Sequence, residues 1–263
     1  MGSATTQAVA AMTTALDAAS AVDLDVAREL FAAARVIGGS PQLGGALADS
    51  SAAPAARAKV VTDLFGSAFA TASVALLSTA VQHAWSSSSD LVDGIEELAV
   101  RAAAKAAPDA DVESELFAFS RTVAANPELE LALGSRAGDS AVKGELVRTL
   151  LETRVSEATV LIASSLVQQS RERRVRELLG RAIQLAAAQR KRVVATVASA
   201  VPLTAQQQTR LAAALSARYD TEVAINTVVD PATVGGLRVQ IADDVIDGTV
   251  ASRLSELRQR LAG

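Results

Sequence analysis

Glu29-Leu30-Phe31-Ala32 is repeated 86 residues later as Glu115-Leu116-Phe117-Ala118. The same offset relates many other identical residues without a gap, over more than fifty positions. These pairs are Arg35 and Arg121, Pro41 and Pro127, Leu43 and Leu129, Leu47 and Leu133, Val61 and Val147, Leu64 and Leu150, Val74 and Val160, and Gln82 and Gln168. One ungapped offset of this length predicts that the first two-thirds of the chain is two copies of one structural unit.

Each copy has the pattern of several short helices. Asp23 is a good cap for a helix that runs to about Val36 and carries its apolar residues on one face. Pro41 and Pro127 fit the first turn of the following helix. Ser156 begins a helix that is apolar on more than one side, which is typical of a central helix in a bundle.

A longer helix is predicted from Asp90 to Ala107, where Pro108 ends it. At the 86-residue offset it aligns with the opening helix of the chain, and it also follows the fifth helix of the first copy. This helix is therefore a candidate to form part of both bundles. The four serines 86–89 precede it and form the best candidate linker.

The hydrophobic period changes after Arg192. Residues 193–198 form a β-branched run that predicts a strand, and Thr204 to Gln207 matches a capping box that opens a helix. Further strands are predicted at 223–229 and 237–241, followed by a short turn and a final helix with the stripe Val250, Leu254, Leu257 and Leu261. The fold class is therefore mainly α with a small α+β domain. We expect a first helical bundle at 1–88, a second at 89–190 and a compact βαββα domain at 191–263.

Composition excludes several classes of function. The chain has no cysteine and one histidine, so thiol catalysis, disulfide scaffolds and zinc–thiolate sites are absent and most metal schemes lack ligands. We predict that His83 is a packing residue rather than a metal ligand, because no second metal-binding residue of the right type lies near it in the sequence. A net charge of -4 disfavours nucleic acid as the main partner. We therefore predict no catalytic residues, no bound metal and no cofactor.

Nothing in the sequence resembles a targeting segment. Residues 1–6 lack a basic region followed by an apolar one, and no stretch approaches the roughly 20 apolar residues that cross a bilayer. We therefore expect a soluble intracellular chain.

The segment 171–192 is strongly basic. Its eight arginine and lysine residues are opposed by two glutamates, which leaves a formal charge of +6. One interpretation is an electrostatic contact with an acidic partner or an anionic membrane surface. The other is a long helix whose basic side faces solvent.

The C-terminal pattern resembles the delta subunit of F-type ATP synthases, called oligomycin-sensitivity-conferring protein in mitochondria. The matching residues are Ser199-Ala200, Pro202-Leu203, Asp230-Pro231, Gly235-Gly236, the strand 237–241 and Val245 to Val250, continued by Arg253 and Leu254. Thr249 replaces the usual serine of the turn and keeps its hydroxyl. The resemblance extends over the helical region from about Glu115 to Arg181, including Asn126-Pro127 and Lys143.

The resemblance implies a mechanical role. Such subunits are non-catalytic stator components that tie the catalytic head of a proton-translocating ATP synthase to its peripheral stalk and resist the torque of the rotor. The implied partners are the N-terminal helices of the alpha subunits, bound by the helical bundle, and the C-terminal end of the stalk b subunit, bound by the C-terminal domain. The implied location is peripheral, on the cytoplasmic side of the cell membrane, with membrane association supplied by the rest of the complex.

Docking residues are predicted on two helices and at the C-terminus. The groove candidates are Val160, Ala163, Leu166 and Val167, with Leu98 and Ala102 on the helix expected opposite. The stripe Val250, Leu254 and Leu257 is the candidate stalk contact. For each of these residues the alternative is packing in the core of the chain itself.

The duplication departs from the common short form of the family, which has one helical bundle. The second copy matches that bundle best, so the role of the first copy is open. It could brace the stalk, contact another stalk chain or bind a second site on the catalytic head. The alternative function is a free-standing helical adaptor that binds an acidic protein or an anionic membrane through the basic segment.

Overall fold

The computed structural model describes residues 2–135, 138–171, 173–233, 235–241, 244–250 and 252. These residues form two compact units, one spanning residues 1–186 and one spanning 187–263. The first is helical and the second contains a four-stranded mixed sheet. The predicted fold class, mainly α with a small α+β domain, is confirmed.

The helices are short and follow one another closely along the chain. Within the described residues they are α1 (Ser3–Ala18), α2 (Leu24–Gly39), α3 (Pro41–Ala48), α4 (Pro54–Phe65), α5 (Thr71–Gln82), α6 (Ser88–Ala106), α7 (Val112–Ala125), α8 (Pro127–Gly134), α9 (Ser140–Leu151), α10 (Glu157–Gln168), α11 (Val175–Gln189) and α12 (Ala205–Tyr219). The strands are β1 (Arg192–Ser199), β2 (Glu222–Val229), β3 (Leu237–Ile241) and β4 (Asp244–Asp247).

The helix bounds repeat with the sequence. Helices α3 and α8, α4 and α9, and α5 and α10 begin and end 86 residues apart. Helices α2 and α7 end at that same offset, and α6 is the counterpart of α1. The duplicated helical unit predicted from the sequence is therefore present in the structure.

Tertiary contacts repeat as well. The Glu29 carboxylate accepts a hydrogen bond of 2.9 Å from the backbone N–H of Ala70, where α5 begins. The Glu115 carboxylate accepts the equivalent bond of 3.1 Å from the N–H of Ser156, where α10 begins. A carboxylate near the positive end of a helix satisfies a free donor and interacts favourably with the helix dipole. Each copy uses it to attach its second helix to its fifth.

Capping side chains set the helix starts as predicted. Asp23 accepts from the N–H of Val26 at 2.9 Å, and Pro41 opens the next helix. Ser156 accepts from the N–H of Thr159. Each bond pairs a donor that the first helical turn leaves free.

Helix α6 is the centre of the helical unit. It packs against α1, α2, α3 and α5 of the first copy and against α10 of the second. The Lys105 ammonium at its end donates to the carbonyls of Leu16 at 2.6 Å and Ala19 at 2.8 Å, which satisfies the last carbonyls of α1. At its start, Ser87 is the N-cap and the next two serines form the first turn. The division at residues 88 and 89 stays a prediction.

The C-terminal unit is built around one mixed sheet with strand order β2-β1-β3-β4. Strands β1 and β2 are parallel, while β3 lies antiparallel to both β1 and β4. The predicted capping box opens α12, because Thr204 and Gln207 each bond to the backbone of the other. Leu215 of α12 packs on the sheet residues Ala195, Val197, Val223, Val239 and Ile241.

Strand β4 was not predicted from the sequence, which indicated only a short turn there. Ile246 pairs with Val239 of β3 and packs on the core, so this four-residue segment completes the sheet. Gly236 immediately precedes β3 and has a φ of +82°, a backbone conformation that favours glycine. A Cβ atom there would lie 2.3 Å from the Gly248 carbonyl oxygen, so no other residue fits without a shift of the backbone.

The stripe predicted on the final helix lies mostly outside the described residues, because Leu254, Leu257 and Leu261 belong to the part that is not described. Before it, the Thr249 hydroxyl accepts from the N–H of Ser252 at 3.2 Å, which is typical of a helix N-cap. Among the described residues, no helix has the length and apolar character needed to cross a membrane.

Candidate partner-docking site

Most of the predicted groove residues are buried within the helical unit. Their exposed fractions are 0% for Ala163, 5% for Leu166, 2% for Val167, 1% for Leu98 and 0% for Ala102. Helices α6 and α10 do pack against each other. In the structure these five side chains therefore pack in the chain's own core, the alternative that the sequence left open, and their docking role stays a prediction.

Helix α2 of the first copy contacts both α6 and α10. The Gln169 amide, just after α10, donates to the Ala34 carbonyl of α2 at 3.0 Å. Phe31 and Ala34 are buried, whereas their counterparts on α7, Phe117 and Ser120, are only partly buried. The first copy therefore contacts the second at the pair of helices where the groove was predicted.

Val160 is the one predicted groove residue on α10 that is partly exposed. With Leu161 and Ser164 it lies in an open cleft of about 260 Å³ between α10, α9 and α2, named here the α10 cleft. Its charged lining residues are Arg28, Arg148, Glu152 and Glu157. The lining therefore combines two apolar side chains with charged side chains of both signs, a mixture that can receive an amphipathic helix.

A line of exposed apolar side chains runs along α9. Val142, Leu146 and Leu150, four residues apart, are 66%, 40% and 38% exposed. We call these three residues the α9 stripe. The opposite side of the helix is buried through Val147 and Leu151. Aligned apolar residues on the solvent side are unusual, and contiguous patches of this kind mark interaction surfaces.

The first copy has the same feature. Val60 and Leu64 of α4 are 37% and 49% exposed, and they are the counterparts of Leu146 and Leu150. Ala56, the counterpart of Val142, is also exposed. We call these residues the α4 stripe. Because the exposed apolar line occurs at equivalent positions of both copies, we interpret it as a feature of the repeated unit.

The α9 stripe was not identified as a site from the sequence. A hydrophobic period predicts a helix, but it does not say which of the apolar residues face the core. A signal was available, because Val147 and Leu151 already form a second apolar row on that helix. A short helix with two apolar rows must expose one of them unless a further element covers it.

Two carboxylates on α6, one of them buried, hold the segment that precedes α11. Glu96, whose side chain is 5% exposed, forms ion pairs with Arg171 at 2.6 Å and Arg173 at 2.7 Å. Asp93 pairs with the same two arginines. Removing one partner of such a buried group is costly, because the remaining charge is left without compensation.

The basic segment 171–192 is largely neutralised within each unit. Arg181 binds Glu97 at 2.8 Å, and Arg176 binds Glu130 at 2.9 Å. In the C-terminal unit Arg192 binds Glu222 at 2.7 Å. Most of its arginines are therefore occupied by the chain's own carboxylates rather than presented to a partner.

The pKa of Glu96 gives a testable pH dependence. Burial raises the pKa of this carboxyl above its ordinary value near 4.5, and the neighbouring Arg171 and Arg173 offset only part of that rise. The folded chain therefore holds the proton more tightly than the unfolded chain. The stability contributed by Glu96 is present in full below its unfolded pKa and is lost as the pH rises through the folded pKa.

We therefore expect the wild-type chain to lose stability relative to Glu96→Gln as the pH rises above the ordinary carboxyl pKa near 4.5. The measurement is urea unfolding of both chains at pH values below and above this pKa. A stability difference that is constant with pH, or that moves in favour of the wild type, would contradict the assignment.

In the C-terminal unit, only Val250 of the predicted stalk contact is described. Its side chain is 46% exposed, so it is accessible to a partner. Leu254 and Leu257 lie outside the described residues. No His, Asp or Glu side chains in the described part of the chain are grouped so as to hold a metal ion.

Comparison with known proteins identifies the family of the chain. Residues 97–261 match the family model described as ATP synthase delta (OSCP) subunit. The chain is similar over its whole length to the ATP synthase subunit delta of Leifsonia xyli subsp. xyli, with 45% identity and full coverage of both chains. The ATP synthase subunit delta of Streptomyces avermitilis is 40% identical with 98% of both chains covered, and that of Streptomyces griseus is 40% identical with full coverage. The chain belongs to the ATP synthase delta (OSCP) subunit family.

Proposed function

We propose that the helical unit binds the N-terminal helices of the alpha subunits and that the C-terminal unit binds the C-terminal end of the stalk b subunit. The chain is a stator subunit that links the catalytic head of a proton-translocating ATP synthase to its peripheral stalk. Its role is structural and resists the torque of the rotor. We place it at the cytoplasmic side of the cell membrane, held there through the other subunits.

The α9 stripe is the observation that carries the alpha-subunit proposal. Its three apolar residues recur every fourth position along the exposed side of one helix. An amphipathic helix docks through anchors at this spacing, because its own apolar residues recur every three to four positions. The α10 cleft is a second candidate contact, with Val160 among its lining residues.

The α4 stripe supports the same partner and gives the first copy a role. Two equivalent surfaces in one chain suit a partner that presents the same helix more than once. The alpha subunits of a catalytic head are such a partner. We therefore assign the first copy to a second alpha-subunit helix, in preference to bracing the stalk or contacting another stalk chain.

The adaptor function receives less support from the structure. It depends on the basic segment 171–192 attracting an acidic surface. Arg171, Arg173, Arg176, Arg181 and Arg192 are each within ion-pair distance of a carboxylate of the same unit. Little of the segment's charge is left to attract an anionic membrane.

The test is Leu146→Glu in a tagged chain used to recover the catalytic head. The substitution puts a charge at the centre of the α9 stripe, and at a central contact such a change weakens binding by about tenfold or more. Because Leu146 is partly exposed, the fold should be retained. Val36→Glu is the matched control, since Val36 is a 51% exposed apolar residue outside both stripes.

We expect Leu146→Glu to recover much less alpha and beta subunit than the wild type, while Val36→Glu recovers as much. Circular dichroism of the purified variants checks that both are folded. Equal recovery of the head by a folded Leu146→Glu chain would refute docking at the α9 stripe.

A further inference from the structure

A second open cleft lies between α8 and the beginning of α11. Its volume is about 420 Å³, and it is separate from the α9 stripe and the α10 cleft. The lining residues are Pro127, Glu130, Leu131, Gly134, Ser135, Arg173, Arg174 and Val175. We call it the α8 cleft.

Leu131 gives the α8 cleft an apolar anchor point. Its side chain is 74% exposed, the largest fraction among the large apolar residues of the described chain. The neighbouring Leu133 on the same helix is fully buried. A leucine side chain kept in water forgoes about 1.5–3 kcal/mol of burial free energy, which a partner could recover by covering it.

The arginines around the α8 cleft differ in whether they form ion pairs within the chain. Arg173 is bound to Asp93 and Glu96, and Arg176 is bound to Glu130. Arg174 is exposed and has no ion-pair partner within the described part of the chain. Among the described residues of the rim, Arg174 is therefore an arginine without an ion-pair partner, and it lines the same cleft as the exposed Leu131.

The first copy differs at the equivalent positions. The counterparts of Glu130, Leu131 and Arg174 are Gly44, Gly45 and Ser88. Gly44 is buried, and a Cβ atom at this position would lie 3.6 Å from the Cβ atom of Ser88 on α6, so α3 packs closely on that helix. The two copies share most of their helix bounds, but only the second carries a leucine and an arginine at these positions.

We propose that the α8 cleft binds an acidic amphipathic segment of a partner protein, with an apolar side chain of that segment on Leu131 and a carboxylate on Arg174. The positive charge of Arg174 favours an acidic partner, and the exposed side chain of Leu131 supplies apolar contact area. The proposal is independent of the α9 stripe, since it uses other residues and another face of the second copy. It gives this copy a contact that the first copy lacks.

The test uses two synthetic helical peptides of about 14 residues, long enough for roughly 20 Å of helix. Both have leucines at the same helical spacing, and their flanking residues are glutamate in one and lysine in the other. Binding to the full chain is followed by fluorescence anisotropy at low and high salt. We expect the glutamate peptide to bind more tightly, and added salt to reduce this preference.

Charge reversal makes the test specific to the site. Arg174→Glu is expected to weaken the glutamate peptide about two- to fivefold and to strengthen the lysine peptide by a similar factor, as measured for exposed ion pairs. Leu131→Ser should weaken both peptides. Arg210→Glu, at an exposed arginine of α12, is the matched control and should leave both affinities unchanged.

Several results would overturn the proposal. One is equal affinity of the two peptides for the wild-type chain. Another is an unchanged preference in a folded Arg174→Glu variant. A third is binding of phosphatidylglycerol vesicles through Arg174 with no binding of the glutamate peptide, which would make the α8 cleft a membrane contact. None of these results would bear on alpha-subunit docking at the α9 stripe.

Discussion

Shortening Leu98 to alanine is expected to destabilise the helical unit by about 2–5 kcal/mol, with little direct effect on binding of the catalytic head. Leu98 is 1% exposed and lies on α6, the helix that packs against helices of both copies. Removing its methyl groups loses the burial of those atoms and leaves a cavity that close-packed helices fill only in part. Urea unfolding of the full chain, followed by circular dichroism, measures the loss.

The control for this variant is Leu131→Ala, because Leu131 is 74% exposed. We expect its stability to stay within about 0.5 kcal/mol of the wild type, as is usual for surface positions. The packing role of Leu98 would be wrong if Leu98→Ala unfolded like the wild type while failing to recover the catalytic head. That result would restore Leu98 as a docking residue.

Replacing Val160 by aspartate is expected to release the catalytic head from membranes that carry the stalk, while ATP hydrolysis by the released head continues. Val160 lines the α10 cleft together with Arg28, Arg148, Glu152 and Glu157. A carboxylate at this position would lose its water when an apolar helix docks, and this desolvation cost would weaken docking. Head retention is measured by sedimenting the membranes and assaying ATPase activity in both fractions.

The duplication supplies a matched control for this variant. Val74 is the counterpart of Val160 on α5 and is also partly exposed. Its surroundings differ, because the counterparts of Arg148, Glu152 and Leu161 in the first copy are Thr62, Gly66 and Ala75. We expect Val74→Asp to keep the head bound. Release to the same extent by both variants, or retention by a folded Val160→Asp chain, would argue against docking at the α10 cleft.

The sequence predicted the repeat and the helix starts because both depend on local information. An identical segment such as Glu29 to Ala32 requires no knowledge of the fold, and Asp23 caps its helix through the nearby N–H of Val26. Strand β4 was missed because its residues are held by pairing with β3, which is a tertiary contact. A four-residue segment bounded by acidic residues carries too weak a local signal for a strand.

The docking residues could be predicted only in part. Helix α10 is apolar on several sides, so its sequence does not distinguish residues that face neighbouring helices from residues that face a partner. The structure places Ala163 and Leu166 inside and leaves Val160 partly exposed. Helix α9 carries two apolar rows, and the row Val142, Leu146 and Leu150 is the one exposed to solvent. Only the positions of the neighbouring helices decide these cases.

The shared helix α6 also bears on how a duplicated stator arm responds to load. It packs against four helices of the first copy and against α10 of the second, so one continuous rod runs through both. Two modules joined by a loop can pivot about it, whereas two modules built on one rod can pivot only if the rod bends. Bending an α-helix sharply requires a break in its backbone hydrogen bonds, and the sequence of α6 contains no proline. Duplication therefore adds a second module without adding a compliant joint between the two.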